Sequence, residues 1–324
     1  MTAYDRNTDR DDIEGVVTED VASSIIQSAV EKSAALSLFP HVRMSQKVRR
    51  LPVLSALPTA YWVDGEATSA DTSAGLKSTS EMAWDKKYLE AEELAVIVPI
   101  HENVLDDSTF DIFGEVRPRL SEAIGAKLDT AIFAGTEIPS SWVTNGFSGL
   151  VPMAEAASNE RELGTATAAL GGVAEDLNQL FALVEADGFD VSGVAAERTF
   201  RAIVRSARDT TGQKLGDLSP SGAEILGADV KFVPSGSLGA AQNVALAGDM
   251  SQGILGIRSD ISYKVLTEAV IQDNHGAIIY NLAQQDMVAL RVTFRAAFQV
   301  ANPKTRANTN DTTRFPFAVL SNES

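Results

Sequence analysis

Cysteine is absent from the 324 residues, which removes disulfides, thiolate nucleophiles and zinc-thiolate sites together. Any staple between segments must be non-covalent or made by other chemistry. Histidine is scarce, at three residues. His101 and Glu102 are adjacent, but no second histidine follows at the spacing of a zinc protease, so His41, His101 and His275 read as structural or surface residues. A GxxxxGK[ST] loop and a strand-linked GxGxxG are both missing, and Gly212-Gln213-Lys214 reads as a helix-ending turn. Gly146-Phe147-Ser148-Gly149 lacks the spacing of a nucleophile elbow. Asp106 to Glu115 lacks the alternating oxygen ligands and central glycine of a calcium loop, and reads as the acidic first turn of a helix. The expectation is a chain without catalytic residues, metal or cofactor. No stretch approaches the roughly eighteen apolar residues of a membrane span, and Met1 to Glu14 is polar and acidic, so neither a signal peptide nor an anchor is expected. Positive charge is also short: 27 Lys and Arg stand against 44 Asp and Glu, a formal charge of −17. Gripping nucleic acid needs clustered cations, so this balance argues against a chain whose task is to bind it.

What is present suits a folded chain of one or two domains, with 44% apolar and 22% charged residues. Met1 to Val17 carries Asp5, Asp9, Asp11, Asp12 and Glu14 with few apolar residues, and is expected to order only against a neighbour. Thr18 can cap a helix bearing Val21, Ile25, Ile26, Ala29, Val30 and Leu36 at helical spacing, ending before Pro40. Strand-like pieces at Val48 to Leu54 and Tyr61-Trp62-Val63 flank a polar stretch from Gly65 to Ser80. A long return limb runs from Trp84 to Ile100, so the whole reads as an extended two-stranded arm. A hairpin of that length is not stable alone in water and needs a partner surface.

Asp106 to Gly135 is the clearest helix, with Phe113, Val116, Leu120, Ile124, Leu128 and Ile132 every three or four residues, Ser108 or Thr109 as cap and Gly135 as stop. Pro118 is tolerated in the first turns and predicts a kink elsewhere. Met287 to Val300 alternates strictly, placing Val288, Leu290, Val292, Phe294, Ala296, Phe298 and Val300 on one face and Arg291, Thr293, Arg295 and Gln299 on the other. That pattern predicts a long strand lying along the long helix. Between them Gly146 to Gln284 reads as an α/β unit. Its helices span about Glu175 to Glu185 and Arg198 to Arg208, and its strands are Val191 to Ala195, Val230 to Val233, Gln242 to Ala247 and Ile261 to Leu266.

This order of elements resembles the major capsid family of tailed bacteriophages, whose α+β shell fold is called the Hong Kong ninety-seven type. Val104-Leu105-Asp106-Asp107-Ser108 resembles the entry to its spine helix, and Asp129, Ile132 and Gly135 the exit. Gly146-Phe147-Ser148-Gly149-Leu150 resembles its turn into the axial domain, and Asp209, Gly212 and Leu215 its helix-ending turn. Ala247-Gly248-Asp249-Met250 resembles its Gly-Asp turn, and Pro316-Phe317-Ala318-Val319-Leu320 its terminal motif. The resemblance implies an N-terminal arm over 1–52, an extended loop over 53–92 and a peripheral domain with spine helix over 93–145. An axial domain over 146–284 follows, then a return strand and C-terminus over 285–324.

It implies a non-enzymatic virion protein, assembled in the bacterial host cytoplasm as hexamers and pentamers of an icosahedral shell. The shell would enclose double-stranded DNA without sequence-specific binding. Implied partners are a portal protein and, in some relatives, a decoration protein; with only about 17 residues before the first helix, assembly would depend on a separate scaffolding protein or on none, and no membrane is involved. An encapsulin-type compartment shell and, from another class, a soluble acidic enzyme are the alternatives. Some relatives weld subunits by joining a loop lysine to an asparagine with a glutamate as base. Lys77 corresponds to the lysine, but Asp286 and Thr293 stand at the other two positions, so no autocatalytic crosslink is expected.

The remaining expectations concern contacts between copies. Arg43, Lys47, Arg49 and Arg50 form a basic run without an intervening acid, readable as a clamp on a neighbour's Glu90, Glu92 and Glu93 or as a solvated strand face. Trp62 and Trp84 flank the polar loop, as a cross-strand pair, an anchor on the adjacent copy or core within one subunit.

Overall fold

The computed structural model describes residues 33–60, 79–103, 112–167, 171–207, 224–234, 236–239, 242–273 and 275–322. In chain order the elements are α1 (Ala34–Leu38), β1 (His41–Arg43), β2 (Val48–Ala56), β3 (Ala83–Glu90), β4 (Glu92–His101), α2 (Ile112–Phe133), α3 (Ser140–Thr144), α4 (Leu150–Ala156), β5 (Glu160–Leu163), α5 (Val173–Ala186), β6 (Gly193–Ala196) and α6 (Phe200–Ser206). There follow β7 (Glu224–Ile225), β8 (Ala228–Phe232), β9 (Asn243–Gly248), β10 (Gly253–Leu266), β11 (Val270–Gln272), β12 (Ile278–Asn281), β13 (Met287–Val300) and β14 (Phe317–Asn322). They form a four-stranded sheet ordered β1-β10-β13-β4, a six-stranded sheet ordered β5-β14-β9-β6-β8-β7, and two separate two-stranded ladders, β2-β3 and β11-β12.

The long strand forms where its alternation predicts. β13 lies between β4 and β10, antiparallel to both, and Val292, Phe294, Ala296 and Phe298 are buried against Leu120, Ile124, Leu128 and Ile132 of α2. The α2 helix passes through Pro118 without interruption. Phe39, Phe133, Phe147, Phe298 and Phe317 meet edge-on or tilted, with ring centroids 5.0–6.1 Å apart, and join the end of α1, the end of α2, β13 and β14 in one core. The two glycines that bracket the turn after α2 are there for backbone contact. Gly135 has φ +72° and Gly149 φ +106°, and a Cβ on Gly149 would sit 2.5 Å from the Cα of Gly135. A second core packs Leu177, Leu180, Phe181 and Val184 of α5 and Phe200 and Val204 of α6 against the six-stranded sheet.

Several expectations need correction. The return limb after Trp84 is not one strand: it breaks at Ala91, so β3 pairs with β2 while β4 joins the four-stranded sheet. Ile261 to Leu266 is the end of the long β10, which pairs with β13 in that same sheet rather than in the middle unit. The terminal Phe317–Asn322 enters the six-stranded sheet between β5 and β9 instead of returning with β13. Gln299, assigned to the polar face of its strand, is 1% exposed. The alternation there ends because α3 and the root of the β2-β3 hairpin cover the outer face, and the Gln299 amide donates to the Asn145 carbonyl at 2.9 Å. The expected helix from Thr18 does not run unbroken to Leu36: α1 begins at its own N-cap, Ser33, whose backbone is extended and whose hydroxyl accepts from the Leu36 N–H, and it stops before Pro40 as read. Tyr61 to Val63, the spine-helix entry at 104–108 with its Ser108 and Thr109 caps, and Asp209, Gly212 and Leu215 lie outside the described residues.

Candidate assembly surfaces

The β2-β3 hairpin is anchored at its root, braced along its β2 edge and exposed at Trp84 and Met82. At the root, Ala91 donates its N–H to the Lys47 carbonyl (2.8 Å) and the Trp142 indole N–H donates to the Glu90 carbonyl (2.9 Å). Leu89 and Ala91 pack with Met44 and Ala297 in a small core of their own. The segment after β13 braces one edge of the hairpin: the Lys304 N–H donates to the Leu54 carbonyl (3.0 Å), Arg306 to that of Pro58 (3.1 Å), and Lys87 Nζ to that of Val300 (2.9 Å). Burial lowers the Lys87 pKa. That segment is itself pinned by Asp187, which is 5% exposed and accepts from the Asn159 amide (2.9 Å), the Asn308 amide (2.6 Å) and the Phe315 N–H (2.9 Å). Towards its far end the hairpin carries Trp84, opposite Leu54 and 59% exposed, and Met82, 46% exposed. These side chains have surface to bury and no partner for it within the described chain.

A second apolar surface sits at the other end of β10 and β13. The β11-β12 ladder is fixed from beneath by Leu282, Met287 and Ala289 packed with Leu266, Ala269 and Ile271. Above, Val265, Val270, Ile278 and Ile279 are all about half exposed or more.

The chain entering the hairpin is held by a buried carboxylate that sequence reasoning noted only as a motif position. Asp129, on the face of α2 one turn beyond Gly125, accepts from the Ser33 hydroxyl (2.6 Å) and from the N–H groups of Ala34 (2.9 Å) and Ala35 (3.0 Å). Burial pushes its pKa up to about 6, against those three donors, which favour the charged form. Gly125 makes the approach possible: a Cβ there would lie 3.3 Å from that of Ser33. Trp142, Asn145 and Asp187 were also unremarked; Trp142 alone had a visible signal, as one of only three tryptophans.

The residues expected to act between copies fall into three groups. Lys47 pairs within its own chain with Glu90 (3.1 Å) and Glu92 (3.3 Å), which together raise its pKa, and Glu93 lies 3.5 Å from Arg295. Arg43, Arg49 and Arg50 remain exposed on the same hairpin root, as does Trp84 farther along. Trp62 and Lys77 lie outside the described residues. Of the crosslink positions, Asp286 occupies the turn before β13 at φ +47°, and the Thr293 hydroxyl is 2.7 Å from that of Ser262. The histidines occupy three unrelated places: His41 in β1, His101 at the end of β4 and His275 between β11 and β12. Among the described residues no group of three His, Asp or Glu is arranged to hold a metal ion, and no helix is long and apolar enough to cross a membrane. A cavity of about 450 Å³ beside β5 and β14 is lined by Glu155, Glu160, Glu162, Gln242, Asn243, Ser321 and Asn322, without a histidine, lysine or arginine.

Comparison with known proteins gives this arrangement its context. A model of the phage capsid family matches residues 14–305. The major capsid protein of Staphylococcus phage 80alpha is 26% identical over 294 residues, covering 90% of this chain and 83% of that one. Among solved structures, a chain from Microbacterium phage Oxtober96 is 42% identical with a TM-score of 0.77, covering 90% of this chain and 91% of its own. One from Mycobacterium phage Adephagia is 30% identical with a TM-score of 0.78, covering 98% of both. The open hairpin, the spine helix beside a long strand and the family match agree: the chain belongs to the phage capsid family, the major capsid proteins of tailed phages with the Hong Kong ninety-seven type fold.

Proposed function

We propose that each subunit settles by laying the β2-β3 hairpin, its extended loop, over a neighbouring copy, and that the β11-β12 ladder makes a second contact at the opposite end of the long sheet. In this reading the four-stranded sheet with α2 is the peripheral domain and the six-stranded sheet the axial domain. Hexamers and pentamers of such subunits close into an icosahedral shell around double-stranded DNA, with the portal at one vertex and assembly in the host cytoplasm. The observation that carries the reading is the hairpin itself, fixed at its root by buried hydrogen bonds yet holding Trp84 and Met82 in solvent. Burying the exposed part of Trp84 would contribute about 3 kcal/mol per copy, at about 25 cal/mol per Å². Closed symmetry repeats that contribution at every subunit and leaves no open edge. Arg43, Arg49 and Arg50 serve contacts between copies, while Lys47, Glu90, Glu92 and Glu93 brace the hairpin root. With Asp286 and Thr293 at the two positions beside the loop lysine Lys77, the shell matures without an isopeptide bond.

Size-exclusion chromatography and negative-stain microscopy of the purified chain test this. Shells or capsomers are expected, and replacing 57–82 by a short turn should yield a folded subunit that no longer assembles. Because the shortened chain keeps β2, β3 and Trp84, undiminished shell yield from it and from a Trp84→Ser chain alike would refute the role of the hairpin.

A further inference from the structure

Four arginines converge on the turn that leads into the hairpin. Arg49 donates to the Arg43 carbonyl at 3.1 Å, Arg258 donates to the Ser45 carbonyl, and Arg49 and Arg50 line a groove of about 290 Å³ with Ser45, Gln46 and Val48. Arg50 also lies over the Tyr88 ring, 5.8 Å from its centroid. Among the described residues a single carboxylate approaches the four guanidinium groups, Asp260 at 4.0 Å from Arg43, whose side chain is 93% exposed. Lys47, in the middle of the run, has its own pair of glutamates and adds nothing outward. In a chain of net charge −17, these four guanidinium groups have one carboxylate within 4.0 Å among the described residues.

We infer that the Arg43, Arg49, Arg50 and Arg258 cluster is the docking site for the acidic N-terminal segment, Met1 to Val17, of a second copy in the shell. The inference rests on the shell reading above and names the partner of one of its surfaces. The segment has complementary chemistry: Asp5, Asp9, Asp11, Asp12 and Glu14 against Arg6 and Arg10. Guanidinium groups take carboxylates in paired, planar contacts that tolerate variation in the peptide backbone. Stoichiometry favours the segment as well. Every subunit supplies one cluster and one acidic segment, and tethering raises the local concentration of the segment far above that of a free peptide. The carboxylates Asp260, Glu90 and Glu92 beside the cluster act on any anion alike, so it is the one-to-one stoichiometry that favours the segment, and DNA is the competing outcome of the test.

The absence of cysteine makes the test clean, since introduced thiols are unique. Asp12→Cys chains mixed with Arg49→Cys chains, co-assembled and oxidised, should give a covalent dimer on a non-reducing denaturing gel. Asp12→Cys chains mixed with Glu185→Cys chains, whose site is exposed on α5 against the other sheet, should give at least tenfold less. The Arg49→Glu/Arg50→Glu chain should assemble poorly, and adding Asp11→Arg/Asp12→Arg should recover particles. Shells in which the first pair stays unlinked, or links no better than the control, overturn the assignment while leaving the shell reading intact. A defect of the Arg49→Glu/Arg50→Glu chain confined to DNA-filled particles, with empty shells normal, overturns it in favour of DNA. A wild-type chain that forms no shells overturns both.

Discussion

Replacing Asp129 by alanine should release the chain that enters the hairpin from the spine helix. The substitution removes one acceptor from three donors, the Ser33 hydroxyl and the N–H groups of Ala34 and Ala35. Left without an acceptor, three buried donors cost about 1 kcal/mol each, so the substitution costs about 3 kcal/mol. That corresponds to roughly 100-fold faster amide exchange over residues 33–38, read by mass spectrometry on the unassembled subunit. The Asp129 pKa of about 6 is the balance of burial, which raises it from 3.8, against those same donors, which lower it. The sign of the pH dependence follows from the same numbers. Because the folded pKa lies above the free value, folding takes up a proton between them. The contribution is complete below pH 3.8 and is lost as pH rises through 6. Corrected for intrinsic exchange, wild-type protection at 33–38 should therefore fall between about pH 4 and pH 6.5, and the alanine variant should show no such fall. Equal protection in the two proteins, or a wild-type signal flat across that range, would refute the reasoning.

The other predictions address the turn, the hairpin and covalent chemistry. Gly149→Ala should lower the yield of folded chain severely, because the added Cβ meets the Gly135 backbone at 2.5 Å in a region of φ that alanine avoids; a normal melting temperature would contradict this. Trp142→Phe keeps the aromatic packing with Phe147 but loses the bond to Glu90, so hairpin-root exchange should quicken by an amount equivalent to about 1 kcal/mol, and unchanged rates would count against it. Trp84→Ser should leave the melting of the isolated subunit within about 0.5 kcal/mol while reducing shell yield, since the side chain is already largely in water; a large loss of subunit stability would place it in the subunit's own core. Mature particles boiled in detergent should run as single chains, and a ladder of covalent oligomers would show that crosslinking proceeds despite Asp286 and Thr293.

Periodicity alone determined the elements whose two faces meet different surroundings. The strand Met287–Val300 and the body of the spine helix were legible because one face of each is apolar over many residues, and the hairpin because its apolar flanks enclose a polar centre. The acid and base count and the missing cysteine likewise needed no structure. What the sequence left undecided was which strand pairs with which. Glu92–His101 and Gly253–Leu266 carry the same alternation whether they extend a hairpin or join a distant sheet, and only packing around β13 selects the second. The burial of Gln299 and Asp129 was decided the same way: a polar side chain can enter a core once donors or acceptors from remote segments meet it there, and no local pattern encodes where those partners will be. The basic run shows both limits at once. Its residues were plain in the sequence, but only the fold pairs Lys47 with Glu90 and Glu92 in its own chain and leaves Arg43, Arg49 and Arg50 turned outward.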